Sequence, residues 1–437
     1  MAGPERTRSK RSDKDLNWRQ LISELGPGLV TGASDDDPSG IATYAQVGAQ
    51  FGYSMLWTAP LTFPLMATVQ YVCAKIGIVT GRGLAGVLKQ GFPTPIALAA
   101  VLILIVANTI NLGVDIGAVA AAVQLFVPIP ALVVVVPVTV GLIALLVWGS
   151  YDLISRIFKW LTLALFAYVA ASALARPDLG QVLYGTLVPN LSLDPKFIVA
   201  MVAIWGTTIS PYLFFYQSQD EVEGQIKQGR VTLAQRQAKT TRAQLTLARV
   251  DTAVGMLFSN VVMYFIFLAT AATLHAHGTT TVSTAADAAK ALEPVAGPAA
   301  TLLLACALIG SGMLAVPILA ASASYAVSEV VGWRRGLDRK PRDARRFYLL
   351  IVAGMLIGML TQFVGVDPIT ALFWTAVLNG LAAPPLLWMI VVVARDKKLM
   401  GKDRIGPIPM AITIVTAAIM SMLALAWLVL LATGQGS

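Results

Sequence analysis

Charge, histidine and cysteine are what this chain has least of. Among its 437 residues only 13% are Asp, Glu, Lys or Arg, 57% are hydrophobic, and there are two histidines and two cysteines. A chain so apolar cannot cover the surface of a soluble domain, so water is not its main solvent. Cys73 and Cys306 lie inside apolar runs with no CxxC spacing. They read as small buried residues rather than a disulfide or a thiolate metal site. His275 and His277 form a His-x-His at the outer end of an apolar run, beside a Gly/Thr-rich loop, which is a solvent-exposed setting. No histidine therefore stands at membrane depth to relay protons. Without a Ser/His, Cys/His or HExxH set at depth, a membrane enzyme is disfavoured, and no soluble catalytic domain has room to hide.

Eleven apolar segments run through the chain, at 21–48, 54–78, 94–126, 131–149, 157–175, 197–218, 248–275, 298–330, 347–366, 368–394 and 408–432. Each is long enough to cross a hydrocarbon layer of roughly 30 Å, so the chain reads as a multi-pass cell-membrane protein. Residues 1–20 form a polar basic tail (Arg6, Arg8, Lys10, Arg11, with Asp13 and Lys14) and not a cleaved signal peptide. With this tail in the cytoplasm, all of the 32 Lys and Arg residues except Arg176, Lys196 and Lys290 fall on the inner side. This matches the positive-inside rule and sends the C-terminus outside. The net charge of +9 is concentrated in the loops 227–249 and 334–346. It therefore reads as topology and contact with membrane lipids, not nucleic-acid binding.

Spans one to five (21–176) and six to ten (197–395) are two sets of five that enter from opposite sides. They are joined by an extracellular loop, 177–196, and followed by a loop and eleventh span, 396–437. The first span of each set is interrupted by a proline, Pro38 and Pro211, the mark of an inverted repeat. Span one places Asp35, Asp36 and Asp37 before Pro38, Ser39 and Gly40 in an otherwise apolar segment. A charge at that depth costs roughly 2.5–3.5 kcal/mol, so it faces an aqueous cavity or an ion unless it merely solvates a kink. At about 100° per residue the three carboxylates cannot share one pocket. Asp37 is the preferred ligand, because Pro38 removes the next backbone donor and Gly40 loosens the helix, freeing carbonyls for a cation. Asp35 and Asp36 are expected along the water-filled approach.

Span six answers with Gly206, Thr207, Thr208, Ile209, Ser210 and Pro211. Carbonyls freed at Gly206 or Thr207, with the Thr and Ser hydroxyls, would complement one carboxylate in an all-oxygen site suited to a hard ion. The same hydroxyls can instead bond the preceding carbonyls of their own helix. Asn108, Asn111 and Asp115 share one face of span three and are expected to look into the transport path. Asn379, before the Ala-Ala-Pro-Pro run of span ten, offers either a further polar group there or an interhelical hydrogen bond.

These residues resemble the Nramp family of divalent-metal transporters. Gly26-Pro27-Gly28, Asp37-Pro38, Ala42-Thr43, Gly48-Ala49-Gln50-Phe51-Gly52-Tyr53 and Leu56-Trp57 are similar to the signature of its first helix. Lys75-Ile76-Gly77-Ile78-Val79-Thr80-Gly81 is similar to the end of its second. The likeness runs from about residue 20 to 400. It implies an all-α integral membrane protein with a LeuT-like fold, two inverted five-helix repeats plus an eleventh helix, and helices one and six broken.

Departures from the family pattern fall on the implied metal site and proton path. Asp37-Pro38-Ser39-Gly40 stands for Asp-Pro-Gly-Asn, which removes an amide. Thr207-Thr208-Ile209-Ser210-Pro211-Tyr212 stands for Ala-Thr-Val-Met-Pro-His, which removes a thioether and a histidine. The two acidic residues of span three fall at Asn111 and Val114, with Asp115 next door. This pattern resembles the Nramp-related magnesium transporter branch. A thioether favours softer metals, so its loss removes the main discriminator against hard ions, and the smaller Gly40 and Ser210 leave room for an ion that keeps its waters.

The expected function is therefore uptake of Mg2+, and Mn2+, by alternating access without proton coupling. The expected metal ligands are Asp37, Gly40, Thr207 and Ser210; Asp35, Asp36, Thr208, Asn108, Asn111, Asp115 and Asn379 are expected to line the cavity. No cofactor is expected beyond the transported ion, and no obligate protein partner is evident. The rivals are a proton-coupled Mn2+/Fe2+ transporter of the ordinary Nramp type and, more distantly, a sodium-coupled small-solute carrier with a LeuT-like fold.

Overall fold

Prolines and short polar caps decide where the helices begin. In the computed structural model, which describes residues 27–127, 129–148, 163–238, 240–293, 297–337, 339–364 and 367–434, the structure is helical with no strand among these residues. The basic tail, the first residues of span one and residues 157–162 of span five lie outside the described residues. In chain order the helices are α1 (Pro27–Asp35), α2 (Pro38–Phe51), α3 (Thr58–Thr80), α4 (Leu84–Gly91), α5 (Thr94–Gln124) and α6 (Ala131–Trp148). Next come α7 (Ala167–Leu174), α8 (Leu179–Leu187), α9 (Pro195–Thr208), α10 (Pro211–Lys227), α11 (Leu233–Gln237) and α12 (Arg242–Thr273). The last are α13 (Ala285–Lys290), α14 (Ala300–Val331), α15 (Arg345–Thr361), α16 (Pro368–Arg395), α17 (Lys397–Met400) and α18 (Pro407–Ala432).

Proline occupies the first turn of α2, α9, α10, α16 and α18, where its missing N–H costs nothing. Asp37, Asp194 and Asp367 cap three of these helices with a carboxylate. α3 and α14 stop at Gly81 and Gly332, both in the left-handed region that a side chain would strain.

Among the described residues, seven segments are long and apolar enough to cross a membrane: Thr58–Thr80, Thr94–Gln124, Pro195–Lys227, Arg242–His277, Ala300–Val331, Pro368–Arg395 and Pro407–Ala432. This is a multi-pass membrane protein. The other four expected spans are the broken pair α1 and α2, then α6, the partly described α7, and the 17-residue α15. The connections hold more structure than their composition announces. The loop 177–196 contains α8, whose Gly185 packs against the backbone of Tyr53, and α10 continues beyond residue 218 to Lys227.

Small residues let the helices around the breaks approach backbone to backbone. Gly28 and Gly32, four apart on α1, face Asp251, Thr252 and Gly255 of α12, and a Cβ on either would overlap that backbone. Gly206 of α9 and Gly380 of α16 interlock in the same way. The first turn of α1 is held by Asp251, whose carboxylate accepts from the Gly28 N–H at 2.7 Å. α4 is tied to α14 by Glu329, which accepts from the N–H groups of Gly83 and Gly86, each at 2.9 Å, and pairs with Arg335 at 2.7 Å.

Candidate metal site

Asp36 and Asp37 occupy the gap between α1 and α2, and Ile209 and Ser210 the gap between α9 and α10. Pro38 and Pro211 follow the gaps, so Ser34 and Thr207 lose the N–H that a continuous helix would have offered their carbonyls. Side chains fill the role. The Tyr212 hydroxyl donates to the Ser34 carbonyl at 2.8 Å, crossing from one break to the other. Ser210 turns back on its own helix, with its Oγ 2.6 Å from the Thr207 carbonyl and 3.0 Å from that of Gly206.

The Asp37 carboxylate has two unlike sides. Its Oδ1 caps α2, accepting from the Gly40 N–H and the Ser39 hydroxyl, both at 2.7 Å. Its Oδ2 has only long contacts, Asn111 Nδ2 and the Tyr212 hydroxyl, each at 3.4 Å. The single proton of Tyr212 is better used on Ser34, so this oxygen is the poorly satisfied face of a buried carboxylate. Asn111 Oδ1 and Thr207 Oγ1 are likewise buried without a partner. A Cβ placed on Gly40 would lie 3.3 Å from both Thr207 Oγ1 and the Asp35 carbonyl, so the absent side chain brings the two breaks together.

Asp35 and Asp36 point the other way, because the chain leaves the helix after Asp35 and Asp37 is extended. Both lie within hydrogen-bond distance of Ser259 of α12, whose Oγ is 2.7 Å from Asp35 Oδ2 and 3.1 Å from Asp36 Oδ1. One hydroxyl proton cannot serve two carboxylates, and Asp35 Oδ1 and Asp36 Oδ2 have no donor at all. The expected place of this pair, along a water-filled approach, differs from what is found: both are fully buried, because α12 closes over them.

The face of span three is also divided. Asn111 reaches Asp37, whereas Asn108 turns to α14 and donates to the Leu319 carbonyl and the Ser322 hydroxyl. Asp115 is buried beside α14 with neither carboxylate oxygen partnered. Thr208 bonds back to the Ile204 carbonyl at 2.6 Å and lies 3.4 Å from the Tyr44 hydroxyl. Asn379 is buried on α16, beside the Gly206 contact, with its Nδ2 unpartnered. Among the described residues no Lys or Arg forms an ion pair with Asp35, Asp36, Asp37 or Asp115. Nor do three or more His, Cys, Asp or Glu side chains gather in a metal-holding group there. His275 and His277 are exposed, each ring Nδ1 against a backbone carbonyl.

Sequence reasoning missed Ser259, Tyr44 and Met263. The adjacent Ser259 and Asn260 in the apolar run of span seven were a visible signal. Met263 was not, since methionine is ordinary core there, yet its Sδ lies 3.9 Å from Thr208 Oγ1. A thioether therefore stands near the second break, although not at the position of Ser210.

The pattern of the family described as natural resistance-associated macrophage protein-like, Nramp, matches residues 28–430. The chain belongs to the Nramp family. The Deinococcus radiodurans protein named divalent metal cation transporter MntH is 28% identical, over 88% of this chain and 84% of its own length. The Aeromonas hydrophila protein of the same name is 27% identical, over 90% of this Nramp chain and 91% of its own. Among solved structures, the Eremococcus coleocola manganese transporter, in complex with an aromatic bis-isothiourea substituted compound, superposes with a TM-score of 0.71 at 20% identity. That match covers 93% of this chain and 86% of the other. Mhp1, a nucleobase-cation-symport-1 family transporter, superposes with a TM-score of 0.59 at 15% identity, over 92% of this chain and 90% of its own. The fold is LeuT-like, with two five-helix repeats and broken first helices.

Proposed function

We propose that this Nramp protein is a secondary transporter for uptake of divalent metal ions, Mg2+ and Mn2+, by alternating access and without proton coupling. The observation that carries this reading is the buried Asp37 carboxylate at the first break, with one oxygen anchored on α2 and the other left with two 3.4 Å contacts. Such an oxygen is available to a cation. Asn111 Oδ1 and Thr207 Oγ1, buried and unpartnered, are further oxygens for the same ion. Gly40 keeps the space between them clear, and Ser210, whose proton goes to its own helix carbonyls, retains oxygen lone pairs for the ion. The relatives named divalent metal cation transporters support metal as the cargo.

Oxygen ligands favour hard ions, and Mg2+ enters such a site with several waters retained. Two charges moving inward through about 100 mV release roughly 4.6 kcal/mol, enough to drive uptake without a co-transported proton. The N-terminus would face the cytoplasm and the C-terminus the outside.

Asp115 favours a second reading, proton-coupled transport of Mn2+ or Fe2+, because a buried carboxylate without a partner is a natural proton carrier. The deciding experiment is uptake of Mg2+, Mn2+, Ca2+ and an organic panel into proteoliposomes holding a pH dye, with the potential clamped. Mg2+ entry at constant luminal pH is expected. Metal-dependent acidification that disappears in Asp115→Asn would establish the second reading instead.

A further inference from the structure

A second polar site lies far from the two breaks, where α16 ends and α18 begins. Arg395, Lys402, Arg404, Ile405, Pro407 and Met410 line a cavity of about 550 Å³. The three cations are exposed, and among the described residues none of their side chains takes part in a hydrogen bond or ion pair. Ile405 and Met410 form a buried apolar floor.

Of the nearby acids, Asp396 caps α17 through the Lys398 N–H at 2.6 Å, and Asp403 is a single half-buried carboxylate between Lys402 and Arg404 in the chain, against three cations. Lys75 donates to the Arg404 carbonyl at 3.1 Å, so the loop that carries two of the cations is pinned to α3. The first turn of α18 follows Gly406 with no side-chain cap, and since Pro407 and Pro409 have no N–H and that of Met410 bonds the Gly406 carbonyl, the charge of the cavity rests on the three cations. By contrast, two cations of the basic loop 334–346 are engaged: Arg335 pairs with Glu329, and Arg346 lies over the Trp333 ring.

An apolar track leads away from the cations along both helices. Trp388 and Val392, 41% and 51% exposed, share a face of α16 with Arg395. Ile408 and Val415, 73% and 47% exposed, share a face of α18. A free phosphate would use the cations and ignore this track.

We infer that the cavity between the end of α16 and the start of α18 binds the phosphate headgroup of an anionic phospholipid, with its acyl chains along the Trp388/Val392 and Ile408/Val415 faces. Three cations and flanking apolar surface are the elements such a headgroup needs at a membrane boundary. The inference does not depend on which ion is transported.

The test is a lipid titration of the purified full-length protein, read by native mass spectrometry, with phosphatidylglycerol, phosphatidylcholine and inorganic phosphate as probes. The wild type is expected to retain phosphatidylglycerol in preference to phosphatidylcholine. Because each basic group beside an anionic lipid is worth about fivefold, Arg395→Gln with Lys402→Gln and Arg404→Gln should weaken that binding roughly a hundredfold. A control removing equal charge elsewhere, Arg176→Gln with Lys196→Gln and Lys290→Gln, all exposed and outside the basic loops, should leave it within about twofold. Equal loss in the control, no discrimination between the two lipids, or displacement by inorganic phosphate at similar concentration would each overturn the assignment.

Discussion

At the first break the chain leaves acceptors without donors; at the second it repairs itself. Asp35 Oδ1 and Asp36 Oδ2 have no partner, and Asp37 Oδ2 has only long contacts. Across the gap, Ser210 bonds the carbonyls of Gly206 and Thr207, and Thr208 that of Ile204. The difference lies in the side-chain chemistry. A hydroxyl both donates and accepts, so it can mend the helix it interrupts, whereas an ionised carboxylate only accepts and must wait for a cation or a distant donor. Two breaks with the same proline punctuation therefore have unequal roles, one supplying the charge and the other mostly the shape.

The largest expected effect comes from removing that charge. Asp37→Ala should reduce metal uptake by roughly a hundredfold or more while the protein remains folded, since losing one partner of a buried charge interaction costs about 3–5 kcal/mol. Uptake at the wild-type rate, measured in proteoliposomes beside a thermal-unfolding control, would remove Asp37 from the site.

The glycines at the two breaks sharpen the contrast. A Cβ on Gly206 would overlap the Ala376 carbonyl and Gly380, whereas one on Gly40 meets its neighbours at 3.3–3.4 Å. Gly206→Ala should destabilise the protein by about 1–3 kcal/mol through overpacking, and Gly40→Ala by well under that. Unfolding midpoints of the two variants in detergent check the ranking, and equal midpoints would show that the helices relax freely at Gly206.

A selectivity change should be smaller. Ser210→Met with Gly40→Asn returns a thioether and an amide, and should tilt the preference towards Mn2+ or Cd2+ over Mg2+ by about tenfold. Competition uptake measures it, with folding checked because the added bulk must displace Thr207 Oγ1 or the Asp35 carbonyl by a few tenths of an ångström. An unchanged ion ranking in a folded double variant means that ligand softness at these positions does not set selectivity.

The mildest changes should come from the carboxylate pair facing α12. Asp35→Asn, Asp36→Asn and Ser259→Ala are each expected to lower uptake only a few-fold, about the worth of one hydrogen bond. Complete loss in Asp35→Asn or Asp36→Asn would transfer the role assigned to Asp37.

Composition and local order were enough to determine the membrane class, the approximate spans and the two proline breaks. These follow from hydrophobic length and from the N–H that proline lacks, which any stretch of sequence carries by itself. Which distant groups meet was left to tertiary structure. Asn108, Asn111 and Asp115 share a helix face, yet only Asn111 reaches Asp37, because α14 takes the Asn108 amide and Asp115 stays unpartnered. Ser210 donates to its own helix, and Ser259, 223 residues from Asp36, is the hydroxyl within reach of both outer carboxylates. A side chain's own sequence says what it can donate or accept; only the packing of helices remote in the chain decides which partner comes within 3 Å of it.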